Sequence, residues 1–412
     1  MHSNKPLNTG IATGSKLWIG VLLLLASRAT WSDSPALAKA TVEEARVPQA
    51  CQALAALDCD IQTSRPTLLG APLKDSSVSA SSQLGTQLWR RAQQTIGARI
   101  VDDRPLYWQR LSMKREFKTS HGTKPAQAKL LMAFERASRG FDDLAFTAAA
   151  DLNILVTGFD PFGLHNRIDQ SNPSGVAALS FDGLVITANG KTAELQSAMF
   201  PVRFADFDDE MVESVIEPLL ANGTVDAIVT ISMGREGFDL ERFPGRRRSA
   251  TAPDNLLVKT GANTKNPLVP LLGARPLDGP EFVEFTLPVT AMLAVQTPYP
   301  VVDNHKVATL ERGRFAASSL KRLNEDTAVS GSGGGYLSNE ISYRSLRLVH
   351  ALAASAASAS SASSASANAM PIAAGHIHTP RIAGADPAAT HAITWQIRAM
   401  LEALVTQLPL TN

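Results

Sequence analysis

The sequence predicts an α/β protein built around a mostly parallel sheet. Leu152–Val156, Val225–Ser232, Ala328–Ser330 and Ile372–Ile377 are short apolar runs of buried-strand length. Helical spacing appears between and after them. Leu337, Ile341, Leu348 and Leu352 recur along one stretch, and Ile393, Ile397, Leu401 and Leu404 line one side of an amphipathic segment at His391–Leu408. In such a sheet, loops converge at the carboxyl ends of the strands, so functional groups are expected there.

From the N-terminus, Lys5 and Lys16 precede the apolar run Leu17–Ala26, which is short for a bilayer span. Ser27 and Ala29 form a small-x-small cleavage site, and Ala36-Leu37-Ala38 a second. Residues 1–29 therefore read as an export signal, with an uncleaved anchor as the alternative, and no stable membrane span is expected. The two cysteines, Cys51 and Cys59, follow. In an oxidising compartment they could pair across a tight hairpin; on one continuous helix they would be about 12 Å apart, too far to bridge. Residues 41–145 read as a helical extension, with helical composition around 83–98 and 125–139. The α/β domain is expected over 150–408, interrupted by a Pro-, Gly- and Leu-rich insertion near 256–280 and an Ala/Ser low-complexity insertion at 355–370 that should loop out.

At 412 residues with 44% hydrophobic content, the chain can bury a sizeable core. A formal net charge of +1 argues against a nucleic-acid surface. No P-loop is present, and glycines 331–335 lack dinucleotide-binding spacing, so no cofactor is expected.

The stretch SGGGYLSN (332–339) reads as a strand end, a glycine turn and the start of a helix. Ser338 then falls in the first helical turn, where free N–H groups and the positive dipole end favour a nucleophile or an oxyanion. Serine also caps helices at such positions. Glu241 and His378 complete a possible nucleophile, base and orienting carboxylate. Beside Arg242, Glu241 could equally be a surface pair, and His378 a satisfied core histidine. Phe159 and Phe162 flank Pro161, and two aromatic faces three residues apart suit a small flat ring or, equally, a core. His376 and His378 share a face of a regular strand, yet no third ligand has convincing spacing for a metal site.

TGFDPFG (157–163) with SNPSG (171–175), GREGFDLER (234–242) leading to PDN (253–255), SGGGYLSN and GHIHTP (375–380) occur in order over about residues 150–405. Together they resemble the pyroglutamyl peptidase I family, cysteine peptidases that remove pyroglutamate from peptide N-termini. The resemblance implies a three-layer, doubly wound sheet and a peptide partner with an N-terminal pyroglutamate. It implies catalytic roles for Glu241, Ser338 and His378, and a ring site formed by Phe159, Phe162, Asn172, Tyr336 and Leu337.

Four departures accompany the resemblance. Serine stands at 338 where the family has its cysteine, so His378 must take the hydroxyl proton during attack. Thr251 stands where the family's arginine precedes PDN, and Arg246–Arg248 just upstream read as a solvated loop or a replacement cation. The Gly163–Asn172 loop is longer than usual, and an export signal departs from a cytosolic family. The expected function is that of an exported pyroglutamyl peptidase-like hydrolase; the alternative is an inactive homologue that binds pyroglutamyl peptides or acts as a scaffold.

Overall fold

The computed structural model describes residues 40–54, 77–98, 101–120, 124–147, 149–296, 298–360 and 372–410. Residues 1–29, where an export signal is expected, Cys59 and the end of the Ala/Ser insertion lie outside the described residues; Cys51 is disulfide-bonded.

Residues 152–407 carry a mixed, mostly parallel sheet flanked by helices. In chain order the elements are β1 (Leu152–Phe159), α6 (Pro173–Phe181), β2 (Leu184–Ala188), β3 (Lys191–Phe200), α7 (Phe204–Asp208), α8 (Met211–Ala221), β4 (Ala227–Met233) and β5 (Phe238–Glu241). They continue with the hairpin β6 (Leu271–Leu272) and β7 (Arg275–Pro276), α9 (Val289–Leu293), β8 (Val301–Asn304), β9 (Lys306–Thr309), β10 (Gly313–Ala316), β11 (Ala328–Ser330), α10 (Leu337–Ser360), β12 (Ala373–Thr379) and α11 (Pro387–Gln407). The main sheet has the order β2-β3-β1-β4-β12-β5-β8. Its pairs are parallel except β2–β3 and β12–β5.

Strand alternation sorts the side chains into two faces. Ile154 and Val156 of β1, Val229 and Ile231 of β4, Phe238 and Leu240 of β5, and Ile377 of β12 join one apolar core with Ala177 and Phe181 of α6 and with Ile393, Ile397, Leu401 and Leu404 of α11. The opposite face of β4, β12 and β5 carries Thr230, Ser232, His376, His378, Asp239 and Glu241, and α8 and α10 pack together on the side where α10 meets β4 and β12. The apolar runs at 152–156, 225–232 and 372–377 thus lie in central strands. Ala328–Ser330 is also a strand, but it belongs to a separate three-stranded antiparallel sheet, β10-β9-β11, and not to the parallel one.

Two expectations need correction. The Ala/Ser insertion does not loop out from residue 355, because α10 runs on to Ser360. Alanine has the highest helix propensity, so the low-complexity run extends the helix it follows. Leu352 does not join the buried stripe of Leu337, Ile341 and Leu348; it is exposed, since α10 has by then left the sheet.

Upstream lie α1 (Val42–Ala45), α2 (Val47–Ala53), α3 (Val78–Ala98), α4 (Arg104–Ser120) and α5 (Lys124–Ala137). The apolar faces of α3, α4 and α5 meet through Leu88, Trp89, Leu106, Phe117 and Phe134, and reach Leu179 of α6 and Met199 of β3. Beneath them runs a buried ion network. Arg110 and Arg139 pair with Asp160 at 2.9 and 2.8 Å. Arg139 and Arg203 pair with Glu135, and Arg203 also with Glu43 and Asp206. Burial opposes ionisation of Asp160, but the two guanidiniums outweigh it and hold its carboxyl below the usual range. Among the described residues, no helix is long and apolar enough to cross a membrane.

Candidate active site

Each candidate side chain is positioned by backbone features of its own segment. After β1, Asn172 caps α6: its side-chain oxygen accepts from the Ser174 amide, and its Nδ2 donates to the Asp160 carbonyl at 3.0 Å. The Ser174 hydroxyl accepts from the Phe159 amide, which ties the aromatic loop to the helix start. Asp103, from the turn before α4, reaches the same place. Its carboxylate accepts from Ser171 Oγ at 2.7 Å and from the Asn172 amide at 3.0 Å. Burial, reinforced by the charge of Asp102, pushes the Asp103 carboxyl up to about 8.

The glycine turn is held against the segment after β5. The Ser332 amide donates to the Phe243 carbonyl, and the Phe243 amide to Ser332 Oγ. Asn339, in the first turn of α10, exchanges two hydrogen bonds with Gly245. A side chain at Gly335 would lie 2.1 Å from Ser249 Oγ, and Gly334 has φ of +91°. Both positions therefore require glycine. Ser338 is the second residue of α10, so nearby N–H groups lack intrahelical partners.

The six residues expected around a ring site and nucleophile come together. Phe159, Phe162, Asn172, Tyr336, Leu337 and Ser338 line one narrow cavity of about 40 Å³. Val202, Ser232 and Met233 complete it. These three went unnoticed in the sequence, and only for Ser232 and Met233 was there a signal, their place at the end of the apolar run. Phe159 is also a core residue, buried and stacked on Phe207, whereas Phe162 is only partly buried.

Glu241 and His378 do not line that cavity; they form a pair beside it. His378 Nδ1 is hydrogen-bonded to Glu241 Oε1, and Asn304 Nδ2 donates to Glu241 Oε2 at 3.0 Å. Glu241 is fully buried, so the expectation of a surface pair with Arg242 gives way; Arg242 pairs with Asp303 instead. Nor do the three residues each follow a strand of one parallel sheet. Glu241 ends β5, which runs antiparallel to β12; His378 lies within β12; Ser338 follows a strand of the small sheet. Ser338 Oγ donates to the Gly333 carbonyl at 3.3 Å and makes no hydrogen bond to His378.

His376 has a different environment from His378. Its Nδ1 lies 2.8 Å from Thr230 Oγ1, which donates to the Gly375 carbonyl, and its Nε2 lies 2.7 Å from Ser232 Oγ. With the Thr230 proton already committed, Nδ1 carries the ring hydrogen and Ser232 donates to Nε2. Burial, and then the neighbouring His378, hold His376 well below the usual histidine range. It stays neutral and resists taking a proton, so Ser232 lacks an effective base.

Arg246–Arg248 are not a solvated run. Arg246 and Arg247 both pair with Glu281. Arg248 is buried, paired with Glu340 at 2.6 Å and lying over the Phe204 ring. Burial opposes ionisation of Glu340, but Arg248 and Arg344 outweigh it and hold its carboxyl below the usual range. Arg248 thus braces the first turn of α10 rather than facing solvent. Thr251, at the family's arginine position, is exposed.

Ligand atoms of Asp239, Glu241 and His378 lie within 4.8 Å of one another, a grouping able to approach a cation. Both Glu241 oxygens and His378 Nδ1 are engaged in hydrogen bonds, an arrangement in which a carboxylate orients an imidazole for acid–base work.

Comparison with known proteins adds two family-model matches. A model of the PA0049 N-terminal domain matches residues 26–135, and one of the PA0049 C-terminal domain matches 153–277. The uncharacterized protein PA0049 of Pseudomonas aeruginosa is 34% identical over 212 residues, covering 44% of this chain. The chain spans 38% of the length of that curated relative. Among solved structures, a mutant pyrrolidone carboxyl peptidase from Pyrococcus furiosus aligns at 21% identity with a TM-score of 0.41, covering 63% of this chain and 100% of that one. The same enzyme, described with its Cys-free mutant, aligns at 20% identity and a TM-score of 0.39, with the same coverage.

Proposed function

We propose that this chain is an exported hydrolase of the pyroglutamyl peptidase type, with Ser338 as nucleophile. The observation that carries this reading is the adjacency of a narrow aromatic cavity ending in Ser338 to a buried His378–Glu241 pair. Phe159 and Phe162 would sandwich the lactam ring of a peptide's N-terminal pyroglutamate, beside Asn172 and the backbone at Tyr336–Leu337. The N-terminal helices act as a rear support that holds Asn172 through Asp103.

Ser338 Oγ turns from the Gly333 carbonyl and attacks the carbonyl carbon of the pyroglutamyl amide. His378 Nε2 takes the hydroxyl proton, while Glu241 at Nδ1 fixes the tautomer and stabilises the imidazolium. The C–N bond breaks and His378 returns the proton to the leaving amine. Water then attacks the acyl-serine ester, again with His378 as base, releasing pyroglutamate.

The second reading, a binding protein without turnover, is favoured by one observation: Ser338 is bonded to Gly333 and not to its base. A fluorogenic pyroglutamyl-amide assay separates the two. Hydrolysis that is lost in Ser338→Ala supports the hydrolase; equal turnover by that variant removes Ser338 from the mechanism. Ser338→Cys should raise the rate, because a thiol beside an imidazole ionises more readily. Export predicts a mature N-terminus near Thr30 or Lys39, read by N-terminal sequencing; a cytosolic product retaining Met1 contradicts it.

A further inference from the structure

A second, wider basin lies on the other side of His378. It has a volume of about 550 Å³, an order of magnitude larger than the aromatic cavity. Strand register relates the two. Ser232 of β4 is paired with His378 of β12, His378 with Asp239 of β5, and Asp239 with Val302 of β8. Register partners share a face, so these four side chains form one row across the sheet. Ser232 at one end lines the aromatic cavity, and Asp239 and Val302 at the other line the basin. His378 stands between.

The basin's rim is cationic. Arg235, Lys306 and Arg381 line it, and none of them has an ion-pair partner among the described residues. The carboxylates at the basin are Asp239, low in the row beside His378, and Glu236 on the turn. Arg235 and Arg381 are joined through their backbones, the Arg381 amide donating to the Arg235 carbonyl at 2.7 Å. Elsewhere in this part of the chain, cations are paired: Arg242 with Asp303, and Arg246 and Arg247 with Glu281.

We propose that this basin receives the leaving part of the substrate and selects short peptides, one or two residues beyond the pyroglutamate, that end in a free carboxylate. The inference rests on the pyroglutamyl-peptide reading of the aromatic cavity. With the ring over Ser232 and the scissile amide over His378, the leaving nitrogen faces Asp239, whose carboxylate suits the ammonium that forms on release. Neighbouring strands are about 4.8 Å apart, and an extended chain covers about 3.5 Å per residue. One or two residues therefore reach from β12 across β5 toward β8, along the basin that Arg235, Arg381 and Lys306 line. Because the cations are exposed, the preference should weaken as salt rises.

The test uses equilibrium binding, which does not require turnover. Full-length protein carrying Ser338→Ala is titrated by calorimetry with pyroglutamyl-alanine and with its C-terminal amide. The free carboxylate should bind about tenfold more tightly, the scale of one charge-assisted contact. Adding Arg235→Gln, Lys306→Gln and Arg381→Gln should bring the two affinities together while leaving the amide's affinity unchanged. Equal binding of acid and amide before those changes overturns the subsite but not the ring site. Binding of neither ligand overturns the ring reading, and this inference with it. A persistent preference for the acid in the Arg235→Gln/Lys306→Gln/Arg381→Gln protein assigns the carboxylate to a cation outside the basin and also refutes the proposal.

Discussion

Asp160→Asn removes the charge around which Arg110 and Arg139 are buried. All three side chains are at most 1% exposed, and the two guanidiniums meet the carboxylate at 2.9 and 2.8 Å. After the change, Arg139 keeps Glu135, but Arg110 is left with the hydroxyl and carbonyl of Ser138, both neutral. Breaking a buried pair while its partner stays charged costs about 3–5 kcal/mol. The expected loss of unfolding free energy, read from urea denaturation, lies in that range. Replacing Arg110 by methionine in the same protein should recover part of it, because the stranded charge is then gone. A loss below about 1 kcal/mol in Asp160→Asn, of the size seen for exposed pairs, would refute the view that this network is dry and energetically coupled.

Two further outcomes follow from geometry already described. Asp103 is raised to about 8 from an ordinary 3.8, so its contribution to stability is fully present below 3.8 and is lost as pH rises toward 8. Asp103→Asn should flatten that decline, measured as the urea midpoint between pH 5.5 and 8.5; an unchanged slope would place the titration elsewhere. Gly335→Ala brings a methyl to 2.1 Å from Ser249 Oγ, and overpacking of this kind costs roughly 1–3 kcal/mol. It should displace the turn before Ser338, lowering both thermal stability and pyroglutamyl-ligand binding; unaltered binding would show that the turn does not set the cavity.

The central strands were legible because they are buried on both faces and read as unbroken apolar runs. β5 was not, since Phe238 and Leu240 alternate with Asp239 and Glu241, and four residues carry too little pattern. α4 was hidden by its charges: it holds Arg110 and other basic residues whose partners are distant in sequence. The cavity lining could be read from local motifs, because Phe159, Phe162 and Tyr336–Ser338 lie in short segments. The row Ser232–His378–Asp239–Val302 could not, because register between strands is a property of pairing and leaves no mark on any single strand. Arg246–Arg248 were misread for a related reason. A basic tripeptide looks solvated until Glu281 and Glu340 are brought up to it.

The ion network also decides whether this chain can be divided. A cut between the N-terminal helices and β1 would follow an obvious change of architecture, yet it would strip Asp160 of Arg110 and Arg139, and Arg203 of Glu43 and Glu135. The α/β half would inherit Asp160 buried without its two guanidiniums and Arg203 left with Asp206 alone, and a helical half would inherit the complementary set. Exchanging or fusing either half leaves those charges unmatched unless they change with it. Recombination across this boundary is therefore restricted to partners that already carry the matching residues.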